Sequence, residues 1–173
     1  MLISPELNAA INEQIGHEFG ASLQYVAIAA YFDGDNLPIF AKHFYTQASE
    51  ERDHAMRFVK FIADSGGQLE IPPIPAPQCH FTSAEEAVRL SLNWELKVTD
   101  QINGLMDLAI TQKNHITKHF LEWFVNEQLE EVSSMETLLG MVRRGGESGL
   151  LLVENFLSNG GLSQTQEAGA EAE

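Results

Sequence analysis

The chain has 173 residues, 44% of them hydrophobic, and is therefore long enough to bury the core of one domain. Its 25 acidic residues outnumber the 10 basic ones, and a formal net charge of −15 argues against a nucleic-acid partner, because phosphate binding needs a basic surface. The start of the sequence lacks a secretory signal, and no run reaches the roughly 18 apolar residues of a membrane span. Cys79 is a single cysteine and cannot form an internal disulfide. Together these features favour a soluble cytoplasmic protein with no membrane partner.

Two long segments with helical periodicity come first in the chain. The first covers residues 4 to 32, with Ser4 as its N-cap and Pro5 in its first turn. The second covers residues 37 to 65 and is expected to take Asn36 as its N-cap. A pair of glycines follows it, so we expect the helix to end there.

A proline-rich stretch, residues 68 to 81, separates the second segment from the third, and no helix can cross its four prolines. The third segment covers residues 83 to 112, where Ser83 and Glu86 have the spacing of a capping box. A fourth covers residues 114 to 144, and a short leucine-rich fifth covers 148 to 158. We predict one domain over residues 1 to 160, followed by a disordered polar tail over 161 to 173.

The connections between these segments predict the architecture. The short first and third loops make antiparallel hairpins of the segments they join. The proline-rich link has about 15 residues and can reach some 50 Å when extended, so it can travel the whole length of a bundle. The prediction is an all-α four-helix bundle with a long crossover between helices two and three, plus a short fifth helix.

The buried apolar stripe of each long helix is interrupted by a carboxylate close to the helix midpoint. These four residues are Glu18, Glu51, Glu95 and Glu131. His54 comes three residues after Glu51, and Gln128 comes three residues before Glu131, so both share a face with a carboxylate. If the helices pack with matched ends, all four carboxylates meet at one level of the bundle.

Four buried carboxylates at one level need a positive counter-charge, because an unpaired ionised carboxylate in a core costs several kcal/mol. The stripes contain no lysine or arginine at that level. Four negative charges beside one imidazole and one amide are balanced by two divalent cations. Such an oxygen-rich donor set with one histidine suits iron or manganese and disfavours zinc or copper.

A non-enzymatic helical interaction module is the alternative from a different functional class. A single glutamate placed in a core is usually a misjudged helix face, and a module of this kind would bind no iron tightly. Four carboxylates at matched heights, together with an E-x-x-H pair, favour the metal site over that reading.

These residues and their sequence context resemble the ferritins, particularly the haem-free bacterial type, over nearly the whole chain. The resemblance is carried by Glu18, by Glu51 and His54 in ASEERDHAMRF, by Glu95 in NWELKVTD, and by Gln128 and Glu131 in NEQLEEV. It implies a first iron site formed by Glu18, Glu51 and His54. It implies a second iron site formed by Glu51 as a bridge, Glu95, Glu131 and Gln128.

The resemblance also implies further residues around the iron pair. Bacterial members have a third, weaker iron site, which corresponds here to Glu50, Glu127 and Glu130; a solvated acidic face is the other reading of these three. Tyr25 lies two turns after Glu18 on the same face, where the family has a tyrosine beside the iron pair that supplies an electron or steers the peroxo intermediate. It therefore joins the expected catalytic residues.

By resemblance, the chain oxidises Fe(II) with O2 or H2O2 and stores ferric mineral inside a cage of 24 identical subunits. Haem is not expected, because Arg52 stands where haem-binding relatives have an axial methionine. Gln128-x-x-Glu131 replaces the second E-x-x-H of fully symmetric di-iron bundles. A di-iron oxidase or peroxidase that stores nothing is the close rival, and a twelve-subunit miniature ferritin fits less well because its iron site lies between subunits.

Overall fold

The computed structural model describes residues 1–162, and helices dominate this part of the chain. The helices are α1 (Pro5–Gly34), α2 (Pro38–Asp64), α3 (Ala84–Thr111), α4 (His115–Gly145) and α5 (Leu150–Ser158), with a short 3-10 turn over Glu147–Gly149. The described residues contain no strand, and the predicted all-α fold with four long helices and a short fifth is confirmed. Most of the predicted tail, residues 163–173, lies outside the described residues.

Contacts at the two ends of the bundle fix the helix directions. The Leu2 N–H donates to the Ser65 carbonyl at 2.7 Å, so the end of α2 lies beside the start of α1 and the two helices are antiparallel. Phe81, at the far end of the crossover, packs on Tyr31 near the end of α1, with ring centroids 5.3 Å apart. Helix α3 therefore starts beside the start of α2 and runs parallel to it. Of the described helices, none combines the length and apolarity needed to cross a membrane.

Side-chain amides of α1 tie the crossover to the bundle. Asn12 donates to the Gln68 carbonyl at 2.8 Å and accepts from the Glu70 N–H at 2.8 Å. Gln24, over three turns further along α1, makes the same pair of bonds with the backbone of Gln78, both at 2.8 Å. An amide offers a donor and an acceptor together, as a backbone unit does, so it satisfies the backbone groups of an extended loop that pairs with no strand.

Helix starts follow the predicted capping residues at α1 and α3. The Ser4 hydroxyl oxygen accepts from the Leu7 N–H at 3.0 Å, and the Ser83 hydroxyl oxygen accepts from the Glu86 N–H at 3.1 Å. Asn114 caps α4 in the same way. Each of these side chains satisfies a backbone donor that the first helical turn leaves without a partner.

The predicted N-cap of α2 is wrong. Asn36 lies in the turn with a φ of 60°, and Leu37 takes the cap position without a side-chain hydrogen bond. Glu154 of α5 replaces it: its Oε1 accepts from the N–H groups of Ile39 at 2.7 Å and Phe40 at 3.2 Å. A carboxylate is favourable here because the helix N-terminus carries a partial positive charge. One side chain therefore caps α2 and docks α5.

The hydrophobic core consists of two clusters, one toward each end of the bundle. One cluster includes Tyr25, Phe32, Phe40, Phe44 and Met135, and continues to Val153 of α5. The other includes Leu7, Ile11, Phe58, Ile102 and Phe124. Between them, near the middle of all four long helices, lies a layer of buried polar side chains.

We expect Glu154→Ala to loosen both α5 and the start of α2, because two backbone N–H groups lose their acceptor. Loss of a helix cap costs about 0.5–2 kcal/mol, so local hydrogen exchange at Ile39 and Phe40 should speed up several-fold. Mass spectrometry of exchanged peptides from α2 and α5 measures this. Glu147→Ala, which removes an exposed glutamate just before α5, is the matched control. Equal exchange in the two variants would contradict the capping role.

Candidate metal centre

A single buried layer of polar side chains separates the two core clusters, and all four long helices contribute to it. Its members are each no more than 6% exposed: Glu18 from α1, Glu51 and His54 from α2, Glu95 from α3, and Gln128 and Glu131 from α4. The structure therefore brings together the six residues that the sequence assigned to the two iron positions. Within residues 1–162, no lysine or arginine nitrogen lies within 4.0 Å of these four carboxylates.

Glu18, Glu51 and His54 form the tightest part of this layer. One donor atom from each lies within 4.8 Å of the other two, and no other group of three or more histidine, cysteine or acidic residues in the described chain converges in this way. The Nδ1 of His54 is 3.4 Å from Oε2 of Glu51. Glu18 accepts a hydrogen bond at Oε1 from the Gln14 side chain at 2.9 Å, and its Oε2 accepts none from an amide, hydroxyl or basic group of the described chain.

Glu95 and Glu131 lie outside that group and have different neighbours. The Tyr25 hydroxyl donates to Oε1 of Glu95, and Nε2 of Gln128 donates to Oε2 of Glu95 at 3.2 Å. Gln128 also contacts the Thr99 hydroxyl at 3.3 Å. Tyr25 is fully buried, and burial followed by the nearby carboxylates raises its pKa well above 10, so the phenol keeps its proton.

Burial without a cationic partner raises the pKa of every carboxyl in the layer. It raises the pKa of Glu18 to about 7, against hydrogen bonds that act in the opposite direction. The pKa values of Glu51 and Glu131 are raised well above the usual range, first by burial and then by repulsion from the other glutamates. The pKa of Glu95 is also raised by burial, although bonds from Tyr25 and Gln128 oppose the shift. Without metal, the layer therefore retains protons.

His54 is neutral at physiological pH and is available as a ligand. Burial, followed by the charge of Arg57, lowers the pKa of His54 to about 4. Its ring is held edge-on against Trp123 and Phe124, with centroid distances of 5.4 and 6.0 Å. Buried carboxylates, an unpartnered carboxylate oxygen and one neutral imidazole make a donor set that fits iron or manganese.

A second group of acidic residues lines a pocket of about 250 Å³ between α2 and α4, which we call the acidic pocket. Its glutamates are Glu50, Glu127, Glu130 and Glu131, so Glu131 belongs both to the pocket and to the buried layer. Glu50 and Glu130 are exposed and Glu127 is half-buried. The three residues of the expected third site therefore share one pocket, but their oxygens do not converge on one point in the structure.

Two polar residues beside the layer were missed in the sequence. Gln14 is 2% exposed and donates to Glu18, and the Thr99 hydroxyl donates to the Glu95 carbonyl at 2.9 Å. Gln14 lies four residues before Glu18, and Thr99 four residues after Glu95. A search for polar partners one helical turn from each buried carboxylate would have found both.

Comparisons with known proteins agree with the fold. The Ferritin-like domain family matches residues 8–145. The chain is similar to ferritin BfrB of Mycolicibacterium smegmatis, with 43% identity over 156 residues that make up 90% of this chain and 86% of the relative. It is 37% identical to the bacterial non-heme ferritin of Staphylococcus aureus over 146 residues, which are 84% and 88% of the two chains. An open pore ferritin from the archaeon Archaeoglobus fulgidus superimposes with a TM-score of 0.87, 31% identity and coverage of 91% and 97%.

We expect the metal-free protein to lose stability as the pH rises from about 6.5 to 8.5. The pKa of Glu18 is about 7 in the folded protein and 4.5 ordinarily, so the folded state holds more protons in this range than the unfolded state. The free energy of unfolding must then fall as pH rises. His54 and His43, whose pKa values are lowered to about 4, oppose this loss only near the lower end of the range, where the unfolded imidazoles are still partly protonated. Above about pH 7.5 both are neutral in either state.

Thermal unfolding of the metal-free protein, followed by circular dichroism across this pH range, measures the effect. Glu51→Gln removes one carboxyl and relieves its repulsion of the others, so its pH dependence should be weaker. Stability that is constant or increases with pH in the unsubstituted protein would contradict the protonation of the layer.

Proposed function

Because this chain belongs to the ferritin family of iron-storage proteins, we propose that it oxidises Fe(II) within its own helical bundle and stores the ferric product in a 24-subunit cage. The observation that carries the proposal is the buried layer of four carboxylates and one neutral imidazole without a basic partner. Two divalent cations neutralise such a layer, and they replace the protons that the carboxyl groups otherwise retain.

The first Fe(II) is proposed to bind Glu18, Glu51 and His54. The convergence of one donor atom from each within 4.8 Å supports this position. Within residues 1–162, the Oε2 of Glu18 accepts no hydrogen bond from an amide, hydroxyl or basic group, and a buried oxygen without such a donor is a natural ligand for a cation. Gln14 holds the other oxygen of Glu18 and so fixes the orientation of the carboxylate.

The second Fe(II) is proposed to bind Glu51 as a bridge, together with Glu95, Glu131 and Gln128. Gln128 donates to Glu95 through Nε2, which leaves its carbonyl oxygen for the ion. This position offers only oxygen ligands, whereas the first offers an imidazole. We therefore expect the two ions to bind with different affinities.

Oxidation at this pair needs one molecule of oxidant for each two ions. Each Fe(II) loses one electron; the two electrons and two protons convert O2 to H2O2, or H2O2 to two molecules of water. Tyr25, whose hydroxyl donates to Glu95, orients that carboxylate and is proposed to supply an electron at this site. The chain's own contribution is to hold the ions together, out of bulk water, in a layer whose carboxyl groups exchange protons.

The acidic pocket is proposed as the third, weaker iron site and as the path by which ferric product leaves the pair. Glu131 borders both the buried layer and the pocket, which supports a continuous route between them. Glu50 and Glu130 are exposed, so an ion held there keeps part of its water.

Assembly into a cage is supported by the apolar surface of α5. Leu151 and Leu152 are 70% and 76% exposed, although they follow each other on a docked helix. Adjacent exposed leucines are typical of surfaces that other subunits cover. We also place the protein in the cytoplasm, because Cys79 is an exposed free thiol that suits a reducing compartment.

We expect Glu51→Ala combined with His54→Ala to slow the initial oxidation of Fe(II) by about 100-fold, since loss of metal ligands and their partners costs affinity and rate of that order. Fe(II) is added aerobically to metal-free protein, in several-hundred-fold excess per subunit, while ferric absorbance is followed. Size-exclusion chromatography then shows whether the iron migrates with the protein. Glu136→Ala, which removes an exposed glutamate from α4, should behave as the unsubstituted protein.

Iron that stays soluble in a particle of about 24 subunits supports storage by oxidation. Binding of about two ions per subunit, with precipitation of the rest, would mean a di-iron enzyme that does not store iron. Equal oxidation rates in the double variant and the Glu136→Ala control would show that this layer does not carry out the oxidation of Fe(II).

A further inference from the structure

The two ring nitrogens of His54 face two different carboxylates. Nδ1 lies 3.4 Å from Oε2 of Glu51, inside the buried layer, and Nε2 lies 3.8 Å from Oε1 of Glu127, at the wall of the acidic pocket. The edge-on contacts with Trp123 and Phe124 fix the plane of the ring between them. His54 therefore connects the layer to the pocket through opposite edges of one imidazole.

The chemistry of a neutral imidazole decides which nitrogen carries the proton. A neutral ring has one N–H and one bare nitrogen, and only the bare nitrogen binds a metal ion. Nδ1 faces the Glu18–Glu51 side, where the first ion is proposed to bind, so it must be the bare one. The proton then resides on Nε2 and points to Glu127.

We propose that Glu127 is the positioning residue of His54: its carboxylate accepts the Nε2 proton and thereby presents a bare Nδ1 to the first Fe(II). This inference rests on the proposed function and deepens it. The 3.8 Å separation in the structure is within charge-pairing range and longer than a hydrogen bond. The Glu127 side chain is 28% exposed, and rotation about its own bonds can close the gap when an ion fixes the imidazole.

The surroundings of Glu127 contain charges of both signs. Burial, followed by Glu130 and Glu50, raises the pKa of Glu127, and the Arg57 guanidinium opposes that shift. Arg57 is itself held over the Trp123 ring, 3.8 Å from its centroid, so its charge stays beside the His54–Glu127 pair. Glu50 and Glu130 belong to the same pocket, but neither lies within 4.0 Å of the imidazole in the described structure.

The Glu127 carboxylate then has two competing partners. A cation in the acidic pocket competes with the His54 N–H for Glu127, so occupation of the pocket weakens the hold of His54 on the first ion. Iron that accumulates in the acidic pocket would in this way favour release of the iron bound in the buried layer.

Binding of Co2+ to the assembled, metal-free protein tests the role without any turnover. We expect Glu127→Leu to raise the Kd of the first Co2+ by about 10- to 100-fold, the usual effect of losing the carboxylate partner of a ligating histidine. Glu127→Gln should lose less, because its carbonyl oxygen can still accept the Nε2 proton. Calorimetry gives the Kd, and the visible spectrum of the bound Co2+ reports whether an imidazole remains among its ligands.

Glu130→Leu is the matched comparison, since it removes the same charge from the same pocket without contacting His54. Its loss of affinity should be much smaller, and the thermal midpoints of the metal-free variants should agree because both side chains are partly or fully exposed. Unchanged Co2+ affinity in Glu127→Leu, or an equal loss in Glu130→Leu, would overturn the positioning role alone. Absence of any Co2+ binding that depends on Glu51 in the unsubstituted protein would overturn the proposed function and this inference with it.

Discussion

Four buried glutamates at one level divide the hydrophobic core of this bundle into two clusters, and each long helix contributes one of them. Burial of this kind opposes folding, because each carboxyl group either keeps a proton against its ordinary pKa or remains charged in a poorly solvated place. The two apolar clusters hold the layer together from either side, with stacked rings such as Phe58 and Phe124, whose centroids are 4.2 Å apart. The fold thus imposes a concentration of carboxyl groups, and in the proposed function two divalent cations replace their protons.

The groups that donate hydrogen bonds to the layer carboxylates are neutral, and this choice follows from the same constraint. Gln14, Tyr25 and Gln128 each donate a hydrogen bond to a layer carboxylate without cancelling its charge. A lysine or arginine in their place would neutralise the site and remove its attraction for Fe(II). Charged groups such as Arg57 and Glu127 lie outside the layer, where they act on His54 and on the acidic pocket.

Sequence periodicity predicted most of this arrangement because each layer residue lies on the same stripe as the apolar core of its helix. The helix starts at Ser4 and Ser83 were predictable for a similar reason, since a cap and its partner are three residues apart. The cap of α2 was not, because Glu154 lies 115 residues from Ile39 in the chain and only the docking of α5 brings it there. The approach of Glu127 to His54 likewise depends on how α2 and α4 pack, and their spacing in the sequence carries no sign of it.

The central claim is that the layer holds two metal ions per subunit, and anomalous diffraction at the iron absorption edge tests it most directly. Crystals of the metal-free protein would be soaked anaerobically with Fe(II) and measured on both sides of the edge. The account predicts two peaks within each bundle, one among Glu18, Glu51 and His54 and one among Glu51, Glu95 and Glu131. No peak in the layer, or peaks confined to the acidic pocket, would show that the buried carboxyl groups are balanced by protons and that the iron chemistry lies elsewhere.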